Sequence, residues 1–258
     1  MKVSVVIITY NEEANLGRTL SSVAPLISGE NGELIIVDSG STDRTCEIAR
    51  DFGAKVFREE WKGFAAQKNS AIAKATTEWI LSLDADEEVS PELAHEILDL
   101  HGDAVQGFYL PRRNMFLGRW IRHGGFYPDR KLRLFRRGAG KFEERLVHEN
   151  LKVEGATRPL SGNLIHHAYP TLSGYIEHMN RYSSLGAQLA ASQGQTGRTL
   201  PAFLWNVWLR PQFTFLYNYL VRLGFLDGRE GLLLHLYHAV YVSWKYAKAW
   251  ERTSKQQR

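Results

Sequence analysis

The chain has 258 residues, 44% of them hydrophobic, with 32 Lys+Arg against 28 Asp+Glu for a formal charge of +4, and a single cysteine, Cys46. That length and composition carry one large α/β domain, or one domain plus a helical appendage, and exclude a disordered or fibrous chain. One cysteine excludes an internal disulfide and a thiolate metal cluster and fits a reducing compartment; Met1-Lys2 runs straight into an apolar segment, so no secretory signal is expected.

In chain order, residues 3–8 are apolar and β-rich throughout, the pattern of a strand buried on both faces. Residues 12–23 read as a helix, 34–37 as a second buried strand, and 43–52 as a helix that Ser41 or Thr42 can cap. A short strand at 54–57, an Ala-, Lys- and Gln-rich helix at 63–75, and a fourth strand at 78–83 follow. Ser90-Pro91 opens another helix, with Ser90 as N-cap and Pro91 in the first turn. Repeated βα units with short links predict an α/β fold with a parallel sheet covered on both faces. Residues 105–167 differ: strand-like runs at 107–111, 131–135 and 163–166 are separated by Gly- and Arg-rich stretches, read as strands and loops closing one side of a site. From Leu172 the pattern is helical, with amphipathic helices at 200–223 and 231–250 joined by the turn at 224–228.

Charge is unevenly spread. Residues 1–110 hold 19 acidic against 9 basic side chains, residues 111–158 hold 5 against 13, and the remainder 4 against 10. A basic rear half suits an anionic partner. The arginines are scattered and no nucleic-acid-binding motif is present, so nucleic acid is not expected. No stretch reaches the roughly 18 uninterrupted apolar residues of a membrane span. Residues 200–250 nevertheless hold 13 of the 30 aromatics, mixed with Arg and Lys. Such a mixture suits an interfacial helix at a bilayer and equally suits packing against the main domain.

Polar groups gather where the strands end. The first strand runs into Thr9, Tyr10, Asn11 and Glu12; the second ends in Asp38, followed by Ser39-Gly40-Ser41-Thr42-Asp43; the third helix carries Gln67-Lys68-Asn69; the fourth strand ends in Asp84-Ala85-Asp86. Open α/β sheets bind ligands outside the carboxyl ends of their strands. Two carboxylates one residue apart at that edge suit Mg²⁺ or Mn²⁺, hard cations that share oxygen ligands with substrate phosphates. An aromatic ring, a carboxylate and a cationic group together can hold a nucleotide. Neither Gly-x-Gly-x-x-Gly nor a Walker-type loop follows the first strand, which argues against a dinucleotide fold or a P-loop kinase. Taken singly, each residue has a plainer reading: Asp38 and Asp43 as helix caps, Asn11 as a turn residue, Lys68 as a solvated charge. Four polar ends in order favour a site in the first hundred residues.

Residues 5–12, 36–43, 67–69 and 79–86 together resemble family 2 glycosyltransferases of the GT-A fold. More loosely, residues 126–136, Val147-His148-Glu149 and 224–228 resemble the subgroup that adds glucose or a similar sugar to the lipopolysaccharide inner core. The resemblance implies a Rossmann-like nucleotide-diphospho-sugar transferase domain over 1–170, with a nucleotide-sugar half (1–104), an acceptor half (105–170) and a helical extension over 171–258. It implies that Tyr10 and Asp38 hold the uracil of a UDP-sugar, with Thr9, Asn11, Glu12 and Lys68 lining the pocket. Asp86 would bind the metal directly and Asp84 would approach the ribose or the metal shell. An inverting displacement needs a general base. Glu149 is favoured, with Asp129, Glu143 and Glu144 open. His148 would orient the base, meet the diphosphate or complete the metal shell, and the pair His166-His167 is an alternative for that last task. Arginines of the basic segment, Arg133 and Arg136 among them, would grip phosphates of the donor or acceptor. The expected acceptor is a glycolipid such as lipopolysaccharide core, met by a peripheral enzyme on the cytoplasmic leaflet. Missing spans and the lack of a Gln-x-x-Arg-Trp motif argue against a processive synthase. A sugar-nucleotide nucleotidyltransferase and a non-catalytic, membrane-associated nucleotide-sugar-binding module are the competing readings.

Overall fold

The computed structural model describes residues 1–29, 32–101, 104–143 and 150–255, which fall into two compact units: Met1–Arg113 with Asp129–His166, and Asn114–Pro128 with His167–Arg258.

In the first unit, strands β1 (Val3–Thr9), β2 (Gly32–Asp38), β3 (Lys55–Arg58) and β4 (Trp79–Leu83) alternate with helices α1 (Leu16–Ile27), α2 (Thr45–Asp51) and α3 (Phe64–Ala73). β1 runs parallel to β2 from Val3↔Gly32 to Thr9↔Asp38 and parallel to β4 from Val3↔Trp79 to Ile7↔Leu83. The registers bring the carboxyl ends of all three strands to one edge, and β3 extends the parallel set beyond β2. Strand β5 (Glu87–Val89) follows at once and was not expected, because three residues give too short a period to read. Helix α4 (Pro91–Leu98) starts as its sequence predicts, with the Ser90 Oγ accepting from the Leu93 amide at 3.2 Å.

The sheet continues through β6 (Gly107–Phe116), β8 (Asp129–Arg136) and β12 (Leu164–Tyr169) in the order β3-β2-β1-β4-β8-β6-β12-β5; β7 (Arg119–Trp120) and β11 (Thr157–Pro159) pair with β6 beside this path. β8 is antiparallel to both β4 and β6, so the sheet is mixed rather than wholly parallel. Alternate residues of the central strands serve two apolar layers. Val3, Val5 and Ile7 meet Leu16, Leu20 and Val23 of α1 and Leu93 and Ile97 of α4. Val6, Ile35, Val37 and Ile80 meet Ala65 and Ala71 of α3 and Phe142 and Leu151 of the hairpin β9 (Gly140–Glu143) and β10 (Asn150–Val153). Burial on both faces explains the unbroken apolar runs of these strands.

In the second unit, α5 (Leu172–Ser192) packs on α8 (Gly228–Lys255) through Ala187, Ala190, Val242, Tyr246 and Ala249. Phe116 and Ile121, placed by sequence in the acceptor half, cluster here with Tyr175 and Leu234. The segment expected as one helix over 200–223 is a relay: α6 (Leu200–Leu204), a π turn (Trp205–Leu209), α7 (Arg210–Leu216) and a second π turn (Tyr217–Val221). Pro211 has no amide to give to the i−4 carbonyl, which favours a shift of the hydrogen-bond ladder at the first junction. The turn Gly224–Asp227 is structural: a side chain on Gly224 would meet the buried His235 ring at 2.3 Å, and Asp227 accepts from the His123 amide at 2.8 Å. Among the described residues, no helix is long and apolar enough to cross a membrane.

Candidate active site

The loops after β1 and β2 are stitched together at the carboxyl edge of the sheet. Asn11 takes a left-handed backbone (φ 54°), a conformation Asn tolerates better than most residues. Its amide donates to Ser41 Oγ at 2.8 Å, and its side-chain oxygen accepts from the Thr42 amide at 2.9 Å. The Glu12 amide donates to Thr45 Oγ1 at 2.7 Å and the Glu13 amide to Asp43 Oδ2 at 3.1 Å. Helix α1 starts at Leu16, four residues later than the pattern predicted, after a turn in which the Asn15 and Leu16 amides both donate to the Glu12 carbonyl at 3.0 and 2.9 Å. The Tyr10 ring is left 60% exposed beside this junction.

Asp38 is fully buried at the end of β2. Its carboxylate accepts from Thr9 Oγ1 (3.2 Å), the Gly40 and Ser41 amides (3.1 and 3.0 Å) and the Ser41 hydroxyl. Burial pushes this carboxyl up, but the Ser41 hydroxyl and the loop amides outweigh it and hold it below the usual carboxylate range. The result is an ionised acceptor held in one orientation.

Asp84, the next residue after β4, is clasped between two cations. Lys68 Nζ of α3 lies 2.7 Å from Oδ1, and Arg133 Nη2 bonds Oδ2. Arg133 reaches it through a β-bulge: Phe108 pairs with Leu134 and Tyr109 with Leu132, so Arg133 is the extra residue of β8. A bulge re-aims the side chain it carries. Glu87, completely buried, joins the cluster: Oε1 accepts from Arg133 Nη2 (2.9 Å) and Arg112 Nη1 (3.1 Å), while Oε2 accepts from the Asp84 amide (3.0 Å). Arg112 in turn bonds Asp129 Oδ2 at 2.7 and 3.0 Å. Burial raises the Asp84 carboxyl, yet the Arg133, Lys68 and Arg112 charges hold it well below the carboxylate range.

Asp86 is not clasped in this way. His166 Nε2 lies 3.3 Å from its Oδ2, because β12 pairs with β5 and places His166 opposite Glu87. Across the same edge the Glu12 carboxyl is raised, first by burial and then by the negative fields of Asp86, Asp43 and Asp84, with Asn15 partly offsetting them. A carboxylate–imidazole pair in a field that resists further negative charge is a donor set suited to a divalent cation. Among the described residues, no three His, Cys, Asp or Glu side chains converge as a closed cage.

Thr9, Tyr10, Asn11, Glu12, Asp38, Lys68, Asp84 and Asp86 therefore sit on elements ending at one edge. Two arginine expectations change. Arg133 does not stand free to grip phosphate; it is buried in ion pairs with Asp84 and Glu87. Arg136 pairs with Glu78 and stacks on Trp79, at the opposite end of β4 from Asp84. Among the open base candidates, Asp129 is occupied by Arg112 and Lys131, and Glu143 is an exposed residue of β9. His148, Glu149 and Glu144 lie outside the described residues; their flanks, Glu143 and Asn150, pair across β9 and β10. Sequence reading missed Glu87 and Arg112, since no local pattern distinguishes a buried ion pair from a surface one. It also missed that Asn69 clamps β9, donating to the Phe142 carbonyl at 2.8 Å and accepting from the Phe142 amide at 2.9 Å.

Comparison with known proteins agrees with this geometry. The family described as Glycosyl transferase family 2 matches residues 4–156. The chain is similar to the "Lipopolysaccharide core biosynthesis glycosyltransferase LpsC" of Rhizobium meliloti, 29% identical over 98% of this chain and 93% of that protein. It is also similar to an uncharacterized glycosyltransferase of Rickettsia typhi, 30% identical over 90% of this chain and 81% of that protein. Among solved structures it resembles a mannosyltransferase from Pyrobaculum calidifontis in complex with GDP-mannose and Mn²⁺, with a TM-score of 0.58 and 19% identity over 97% of this chain and 88% of that one. That likeness gives the fold, which is GT-A.

Proposed function

The chain belongs to glycosyl transferase family 2, and from that premise we propose that it moves one hexose from a UDP-sugar to a lipid-linked glycan, such as lipopolysaccharide core, by a single inverting displacement. The observation carrying this reading is the meeting of Tyr10, the anchored Asp38 and the Asp84–Asp86 turn at the carboxyl ends of three adjacent parallel strands. The full-length similarity to a lipopolysaccharide core glycosyltransferase supports the acceptor class.

In this reading the exposed Tyr10 ring stacks on the base, and the Asp38 carboxylate accepts from its ring N–H. Thr9, Gly40 and Ser41 fill the acceptor positions of the buried Asp38 carboxylate, so one of these bonds must give way to the base for Asp38 to take that role. Asp86 and His166 would hold Mg²⁺ or Mn²⁺, with diphosphate oxygens and water filling the remaining positions. Bound there, the cation would act as a Lewis acid on the departing diphosphate. Lys68 would line the same pocket, its buried ammonium paired with Asp84 at 2.7 Å. Glu149 is proposed as the base that takes the acceptor proton, with His148 beside the diphosphate. The acceptor would be met at the cytoplasmic leaflet of the membrane.

The test is a panel of nucleotide-sugars, UDP-hexoses and GDP-mannose among them, offered with delipidated and intact glycolipid acceptors, with release of the nucleoside diphosphate as readout. Turnover of UDP-hexose with a β-linked product supports the proposal. Turnover of GDP-sugars alone, or a product with the donor's own anomeric configuration, refutes it.

A further inference from the structure

The second unit carries a feature that glycosyl transfer itself does not require. Within Leu200–Leu226 lie twelve large apolar side chains that stand exposed, among them Trp208 at 60%, Phe213 at 57% and Val221 at 68%. They recur as 204/205, 208, 213, 216/217 and 220/221, one stripe along the relay of α and π turns. The i→i+5 turns widen the repeat beyond that of an α-helix, so residues four and five apart share a side. The opposite side of the relay is anchored: Phe203 meets Trp250 at 5.2 Å, Ser243 Oγ donates to the Val207 carbonyl at 2.8 Å, and the Arg210 guanidinium lies over Tyr246 at 4.7 Å. The stripe is thus presented on a packed scaffold of α5 and α8.

Its charge is one-sided. Between Glu177 and Asp227 the sequence holds no acidic residue and four arginines, Arg181, Arg198, Arg210 and Arg222. A soluble monomer rarely exposes so long an apolar stripe. Rings flanked by cations, in a segment that holds no acid of its own, fit a negatively charged lipid surface better than a second copy of this chain, whose matching segment carries the same charges.

We propose that Leu200–Leu226 lies along the surface of an anionic bilayer, with Trp208, Phe213, Leu216 and Leu220 at acyl-chain depth and Arg222, which lies over the Tyr217 ring of the stripe, at headgroup phosphates. The segment docks without crossing. This rests on the reading of a lipid-linked acceptor and adds to it the element that meets the lipid and the sign of charge it prefers.

The test is flotation of the full chain with acceptor-free vesicles, one set of phosphatidylcholine alone and one with about 30% phosphatidylglycerol. Binding is expected on the anionic set, weaker on the neutral set, and reduced when salt rises several-fold. Trp208→Ser with Phe213→Ser should lower partitioning about 100-fold, since each ring loses burial worth about a decade. Its thermal midpoint should be unchanged and turnover of a delipidated acceptor kept. Equal binding by the double variant overturns the proposal, as does protease cleavage of the segment from the far side of a sealed vesicle. A stable dimer in lipid-free solution that the same double variant dissociates, with no vesicle binding, also overturns it. The glycosyltransfer reading fails separately: vesicle binding persists while no nucleotide-sugar is turned over.

Discussion

Replacing Arg133 by Met tests the charge cluster behind the Asp84–Asp86 turn. The side chain is 7% exposed and its Nη2 serves two carboxylates, Asp84 and the completely buried Glu87. Met fills most of the volume but leaves both acids short of a partner. Breaking a buried pair from one side costs about 3–5 kcal/mol. Lys68 stays on Asp84 and Arg112 stays on Glu87, so the lower end applies, about 3 kcal/mol. For a unit of this size that is a fall in thermal midpoint of roughly 6–12 °C. The loss must also depend on pH. The Asp84 carboxyl is held well below its unfolded value by Arg133, Lys68 and Arg112 against the cost of burial. A depressed folded pKa gives stability that is present above the unfolded pKa and lost as pH falls through the folded one. Removing Arg133 lets Asp84 protonate at higher pH, so the variant stops losing stability while the parent continues to lose it. Calorimetric midpoints of parent and variant should therefore be furthest apart near neutrality and converge below about pH 4. A variant within about 1 kcal/mol of the parent at pH 7, or a gap constant down to pH 3, would refute the reasoning.

Three further outcomes follow from the same edge of the sheet. Asp86→Asn should reduce turnover at least ~100-fold while the midpoint holds, and calorimetric titration should show weakened Mn²⁺ binding in the presence of nucleoside diphosphate; unaltered Mn²⁺ affinity would remove Asp86 from the cation site. Asn69→Ala removes both bonds to Phe142 and should cost about 1–2 kcal/mol, with the Phe142 amide exchanging hydrogen faster than its neighbours in β9. The Glu12 carboxyl is raised by burial and by Asp86, Asp43 and Asp84, so its contribution is present at low pH and lost as pH rises through the folded pKa. Glu12→Gln should accordingly raise the thermal midpoint at pH 7 and leave it unchanged at pH 4; a decrease at pH 7 would contradict the negative field inferred there.

Much of the first hundred residues was legible in the sequence alone. Unbroken apolar runs at 3–8, 34–37 and 79–83 mark strands buried on both faces, and polar residues at their ends mark the carboxyl edge of the sheet as the candidate site. Local chemistry also showed the start of α4, because Ser90-Pro91 caps by itself. The arginines were not legible. Arg133 and Arg136 stand three residues apart on one strand and look alike in sequence. A bulge sends the first to Asp84, while register with Trp79 sends the second to the far end of β4. Residues 114–128 also read as part of the acceptor half, yet Phe116 and Ile121 find their core on Tyr175 and Leu234.

What the amino-acid order alone determined was the family, the alternation of strand and helix, and the residues offered at the carboxyl edge, since each depends on patterns a few residues long. Which charges would be neutralised there was decided only in three dimensions. Lys68, Glu87, Arg112, Asp129 and Arg133 come from different elements, and their pairing is set by sheet register and by the distances at which buried charges must find partners. The approach of His166 to Asp86 has the same origin: it needs β12 laid beside β5, a long-range pairing that no local pattern encodes.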